Sequence, residues 1–246
     1  NQGMIFITTG LLSRLENEAE LAFILAHEIA HYTEKHVINK IIESDKIFSK
    51  RKRLKYSSYD DNILKLSKYS KNLELEADSI GYVNYLKKGY GKEQVESAFE
   101  ILKYSFLPFE NTEISLNEIN SKIPLLLKLD SIPPIQLDDE NDSLSTHPNI
   151  NLRIDMIAKT GENGNGRKYI LLSPSEMELI VNSSKVTEIK LQLENLDYIN
   201  ALNNALNLSK KHPSEYEFKK LCAQSLYGLA KYANVNKLTS LFYSHE

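Results

Sequence analysis

Apolar and polar positions alternate with changing period along the chain. Met4-Ile5-Phe6-Ile7-Thr8-Thr9 is rich in β-branched and aromatic side chains and predicts one short strand. Asn17 then offers an N-cap with Glu20 three positions on, and a helix is predicted from there to about Ile42. From Leu21 to Ala30 this helix is apolar nearly all round, the mark of a buried helix. A second helix is predicted from about Asn72 to Lys88, closed by Gly89, and a third from about Lys92 to Phe106. Residues 150–159 predict a further helix, and Lys168 to Leu172 a second strand. Ser173-Pro174-Ser175-Glu176 is a capping box with proline at the first helical position. Beyond Glu188 the pattern is helical, with a break at His212-Pro213 and a tetratricopeptide-like spacing over residues 185–246.

Between these elements lie two segments of different character. Residues 46–71 are strongly basic and read as a solvated insertion with some helix, in which Ser49-Lys50-Arg51-Lys52-Arg53 is an exposed charged cluster. Residues 108–146 read as a long covering loop with an acidic tip at 138–142. The whole chain of 246 residues has a net charge of -3, which argues against a nucleic-acid partner. No apolar run is long enough for a membrane span. The chain starts Asn1-Gln2-Gly3, so a removed leader is expected, and membrane association only through such a missing segment.

Composition narrows the chemistry. With Cys222 alone, neither an internal disulfide nor a cysteine-rich metal site can form. Any metal must be held by His, Asp and Glu, and there are six histidines. His27-Glu28-Ile29-Ala30-His31 puts two imidazoles four residues apart on one helix face, so both can reach one zinc ion. Glu28, about 100° round the helix, can reach a water on the metal as general base. His36 reads as a surface residue or as a partner to a ligand. A third ligand is expected in Glu74-Leu75-Glu76-Ala77-Asp78, where Glu74 and Asp78 share a face and Glu76 points away. One carboxylate can bind zinc and the other can accept the free ring N–H of a ligating histidine.

These residues carry a resemblance. Gly3 to Leu12, Glu18 to Ala22 and His27 to His31, then Glu74 and Asp78 followed by Ile80-Gly81, then Ser145-Thr146-His147-Pro148 and Arg153, resemble the HtpX/BepA-like gluzincin zinc metallopeptidases, relatives of the CAAX prenyl endopeptidase. The resemblance covers about residues 1–160. It implies zinc held by His27, His31 and Glu74, catalysis by Glu28, and supporting roles for Asp78 and Arg153. It places His147 beside the metal, where it would stabilise the oxyanion or occupy the open coordination position; turning the chain before Pro148 is the structural alternative.

The expected fold is α+β and mainly helical. A zincin domain over 1–160 is followed by a connecting turn and strand at 161–184 and a small tetratricopeptide-like region at 185–246. The expected function is a zinc endopeptidase of the soluble envelope branch, periplasmic or lipid-anchored, acting on unfolded or misassembled proteins. The competing reading is a latent peptidase that serves as a chaperone-like module, docked to an envelope complex through its C-terminal helices.

Overall fold

The computed structural model describes residues 3–50, 59–104, 109, 114–115, 131–132, 149–159 and 166–233. Among these the chain is mainly helical. The helices are α1 (Thr9–Leu12), α2 (Glu18–Thr33), α3 (His36–Lys50), α4 (Tyr59–Lys87), α5 (Glu93–Lys103), α6 (Ile150–Ala158), α7 (Pro174–Glu194), α8 (Tyr198–Lys211) and α9 (Tyr216–Ala233). β1 (Ile114–Ser115) and β2 (Ser131–Ile132) form a short antiparallel pair with Ile114 opposite Ile132. The contacts divide the chain into two compact units. One holds residues 1–7, 15–103 and 138–178, the other 8–14, 104–137 and 179–246.

In the first unit α2 packs on α4 and α5, and α6 packs on α4 and α5. Phe23 of α2 meets Tyr85 of α4 and Phe99 of α5 edge to face, with ring centres 5.7 and 5.2 Å apart. All three are buried, so one aromatic cluster fixes the three helices against each other. Gly81 of α4 sits against α2, where a Cβ would stand 2.9 Å from the His27 backbone nitrogen. Only glycine allows so close an approach. Gly89, at φ +91°, ends α4 in the left-handed conformation expected of it.

The start of α2 has the expected capping box. Asn17 Oδ1 accepts the Glu20 N–H, and Glu20 Oε2 accepts the N–H of Asn17 and of Glu16. Asn17 also donates to Gln94 of α5 at 2.9 Å, so the cap is tied into the packing. The second capping box is present too: Ser173 Oγ accepts the Glu176 N–H, and Glu176 accepts from Ser173 N–H at 2.8 Å.

Several expectations are corrected. Residues 4–8 form no strand, and α1 follows from an N-cap at Thr8. β-Branched composition cannot make a strand without a partner, and none pairs with it among the described residues. Residues 168–172 are not a strand either. The N–H groups of Ile170, Leu171 and Leu172 converge on the Glu18 carboxylate at 2.7–3.1 Å, so this stretch wraps the start of α2. The helix expected to run to Ile42 stops at Thr33. Lys35 takes φ +57°, and α3 starts in a new direction at His36. The basic insertion is helical on both sides. Residues up to Lys50 belong to α3, and α4 begins at Tyr59, well before Asn72. Residues 51–58, with most of the charged cluster, lie outside the described residues, as does the acidic tip.

In the second unit α8 and α9 pack together around Ala201, Leu202, Ala205, Phe218, Leu221 and Leu229, all buried. Residues 212–215 connect them, at the expected His212-Pro213 break. Cys222 lies in this core, where burial pushes its thiol up to about 11. It is no nucleophile at neutral pH.

Candidate metal centre

The aromatic cluster and Gly81 hold α2 and α4 close enough for three side chains to meet. His27 and His31, one helical turn apart on α2, face each other with their Nε2 atoms 2.9 Å apart. Glu74 of α4 reaches both. Its Oε2 lies 3.6 Å from His27 Nε2 and its Oε1 3.5 Å from His31 Nε2. Two donors at the corners of a tetrahedral zinc site, bound at 2.0–2.1 Å, stand about 3.4 Å apart. The three separations bracket that value, and two imidazoles with one carboxylate form a donor set suited to zinc. The residues present therefore fit the metal.

The outward nitrogens of both histidines have partners. His27 Nδ1 lies 2.9 Å from Asp78 Oδ1. Asp78 is fully buried, and Arg153 of α6 donates to both its oxygens at 2.7 Å. The guanidinium in turn lies over the Phe99 ring at 4.5 Å. A chain of contacts thus runs from the core through Arg153 and Asp78 to His27. On the other side, His31 Nδ1 faces His36 Nδ1 at 2.9 Å, and His36 Nε2 is 3.6 Å from Glu76 Oε2.

Electrostatics follow from this geometry. Burial works to lower the His27 pKa, but the carboxylates of Asp78 and Glu74 outweigh it and raise it to about 9. Burial lowers that of His31 to about 4, helped by the positive charge of His27. Burial works to raise the Asp78 carboxyl, yet the hydrogen bonds from Arg153 and His27 hold it below its usual range. In the metal-free chain the histidine pair thus carries one positive charge at neutral pH, on His27, and a metal bound there would displace one of its ring protons.

The structure therefore brings together His27, His31, Glu74, Asp78 and Arg153, which come from three separate stretches of the sequence. Glu28 is exposed on the next step of α2 and makes no hydrogen bond or ion pair with the described residues. Glu76 points away from the cluster, as expected, toward His36 and solvent. His147, with Ser145, Thr146 and Pro148, lies outside the described residues. One feature was not read from the sequence, and one was read only as an alternative. Gly81 is a spacer between α2 and α4, and of the two readings of His36, surface residue or partner to a ligand, the structure bears out the second: it is buried at the back of His31. The five-residue step from His31 to His36 was the only signal for the latter, and an unbroken helix would have turned it away.

The profile of Peptidase family M48 matches residues 1–160. The chain belongs to this family, whose members are zinc metallopeptidases. No curated protein and no solved structure matches the chain.

Proposed function

We propose that this chain is a zinc-dependent endopeptidase whose metal is held by His27, His31 and Glu74. The convergence of these three side chains, with ligand atoms within 4.8 Å of one another, carries the reading. When bound, zinc would supply Lewis-acid chemistry, polarising a carbonyl and lowering the pKa of water to about 7. The chain's own groups do the rest. Asp78, fixed by Arg153, keeps a proton on His27 Nδ1 and leaves Nε2 free to ligate. Glu28 takes a proton from the attacking water and passes it to the leaving amide nitrogen. His147 serves the oxyanion or restrains the site.

The catalytic assignment covers residues 1–160, with residues 185–246 as a tetratricopeptide-like appendage. The substrate class is unfolded or misassembled polypeptide in the bacterial cell envelope. This part rests on the resemblance to envelope metallopeptidases. No helix among the described residues is long and apolar enough to cross a membrane.

A peptidase assay on an unfolded protein tests the reading. Glu28→Gln should keep the metal and lose cleavage by about 10²- to 10⁴-fold. A Glu28→Gln variant as active as wild type would sink it.

A further inference from the structure

We propose that His36 is a positioning residue that sets the ring tautomer of His31; this rests on the zinc reading above. A neutral imidazole that ligates through Nε2 carries its proton on Nδ1. That N–H is buried and needs an acceptor. For His27 the acceptor is a carboxylate, Asp78, 2.9 Å from Nδ1. For His31 the atom in front of Nδ1 is another ring nitrogen, His36 Nδ1, at 2.9 Å.

With His31 ligating through Nε2, one arrangement of protons lets the two Nδ1 atoms bond. His31 Nδ1–H donates, so His36 Nδ1 must be bare. His36 then holds its proton on Nε2, which lies 3.6 Å from Glu76 Oε2, beyond hydrogen-bond distance. His36 is 3% exposed, so water cannot easily take over as the acceptor. The geometry depends on the turn between the helices. Lys35, at φ +57°, swings α3 back so that the ring of His36 stands edge-on to that of His31, 4.8 Å between centres. The two ligating histidines thus have different supports: a buried carboxylate behind His27 and a neutral ring behind His31. A neutral acceptor leaves His31 a weaker donor to the metal than His27.

Two substitutions separate acceptor from packing. His36→Asn keeps an acceptor near the Nδ1 position. His36→Phe keeps the ring volume and removes it. The full chain is titrated with zinc against a chromophoric chelator, with unfolding monitored in metal-free buffer to show that each variant folds. The expected result is a zinc Kd weakened about 10- to 100-fold in His36→Phe and nearly restored in His36→Asn. Equal Kd in wild type and His36→Phe, or equal loss in both variants, would overturn the proposal. Should His36→Phe not fold, ¹⁵N NMR of zinc-loaded wild type decides. A proton on His31 Nδ1 and none on His36 Nδ1 supports the assignment, and the reverse contradicts it. A wild-type chain that takes up no zinc overturns the peptidase reading itself, and is seen before any variant is made.

Discussion

Arg153 grips Asp78 with two hydrogen bonds of 2.7 Å in a place that water does not reach. The pair joins α6 to α4, and through His27 it joins the core to the candidate metal centre. Breaking a buried pair by removing one partner leaves an uncompensated charge and costs about 3–5 kcal/mol. Arg153→Met should therefore lower the urea midpoint strongly in metal-free buffer. Adding Asp78→Asn to it should cost much less than Asp78→Asn alone, since the remaining charge is then gone. Strictly additive losses would show that the two side chains do not act as a unit.

Acid should loosen the fold at Glu18. Burial works to raise this carboxyl, but the hydrogen bonds from Tyr90 and from the N–H groups of Leu172, Ile170 and Leu171 outweigh it, so its pKa is lowered. A carboxyl depressed in the folded chain contributes stability above its ordinary value of about 4.3 and loses it as pH falls through the folded value. Glu18→Gln should thus cost about 2–3 kcal/mol at pH 7, and the gap should narrow as pH falls below the ordinary carboxyl value and through the lowered folded one. Unfolding curves of both proteins from pH 7 to pH 3 check this. A gap that stays constant with pH would contradict it.

Gly81 sets the distance between the helices that carry the ligands. In an ordinary helix interior Gly→Ala gains about 1 kcal/mol. Here the added methyl would stand 2.9 Å from His27 N and 3.0 Å from His27 Cα, both backbone atoms that cannot step aside. Overpacking of this kind costs about 1–3 kcal/mol. Gly81→Ala should lower Tm and weaken zinc binding together, because separating α4 from α2 carries Glu74 away from both histidines. A variant as stable and as metal-avid as wild type would show that the helices adjust without cost.

Much of this was legible in the sequence because it is local. The capping boxes at Asn17 and Ser173, the end of α4 at Gly89 and the shared face of Glu74 and Asp78 depend on spacing within one element. What was not legible depends on contacts between elements. Residues 168–172 have strand composition, but their N–H groups are claimed by Glu18, 152–154 positions away. The turn at Lys35 has no glycine or proline to announce it, so α2 and α3 read as one helix, and whether His36 lay at the surface or behind a ligand stayed open. Val37, Ile38, Ile41 and Ile42 of α3 are exposed, so its apolar face gave no warning of a change in direction.

The zinc content of the purified chain, measured by elemental analysis on wild type and Glu74→Gln, tests the central claim most directly. The arrangement of His27, His31 and Glu74 predicts about one zinc per wild-type chain and a large loss in the variant. A wild-type chain that holds no zinc and takes up none from a small excess, or a Glu74→Gln chain that keeps its full complement, would contradict it.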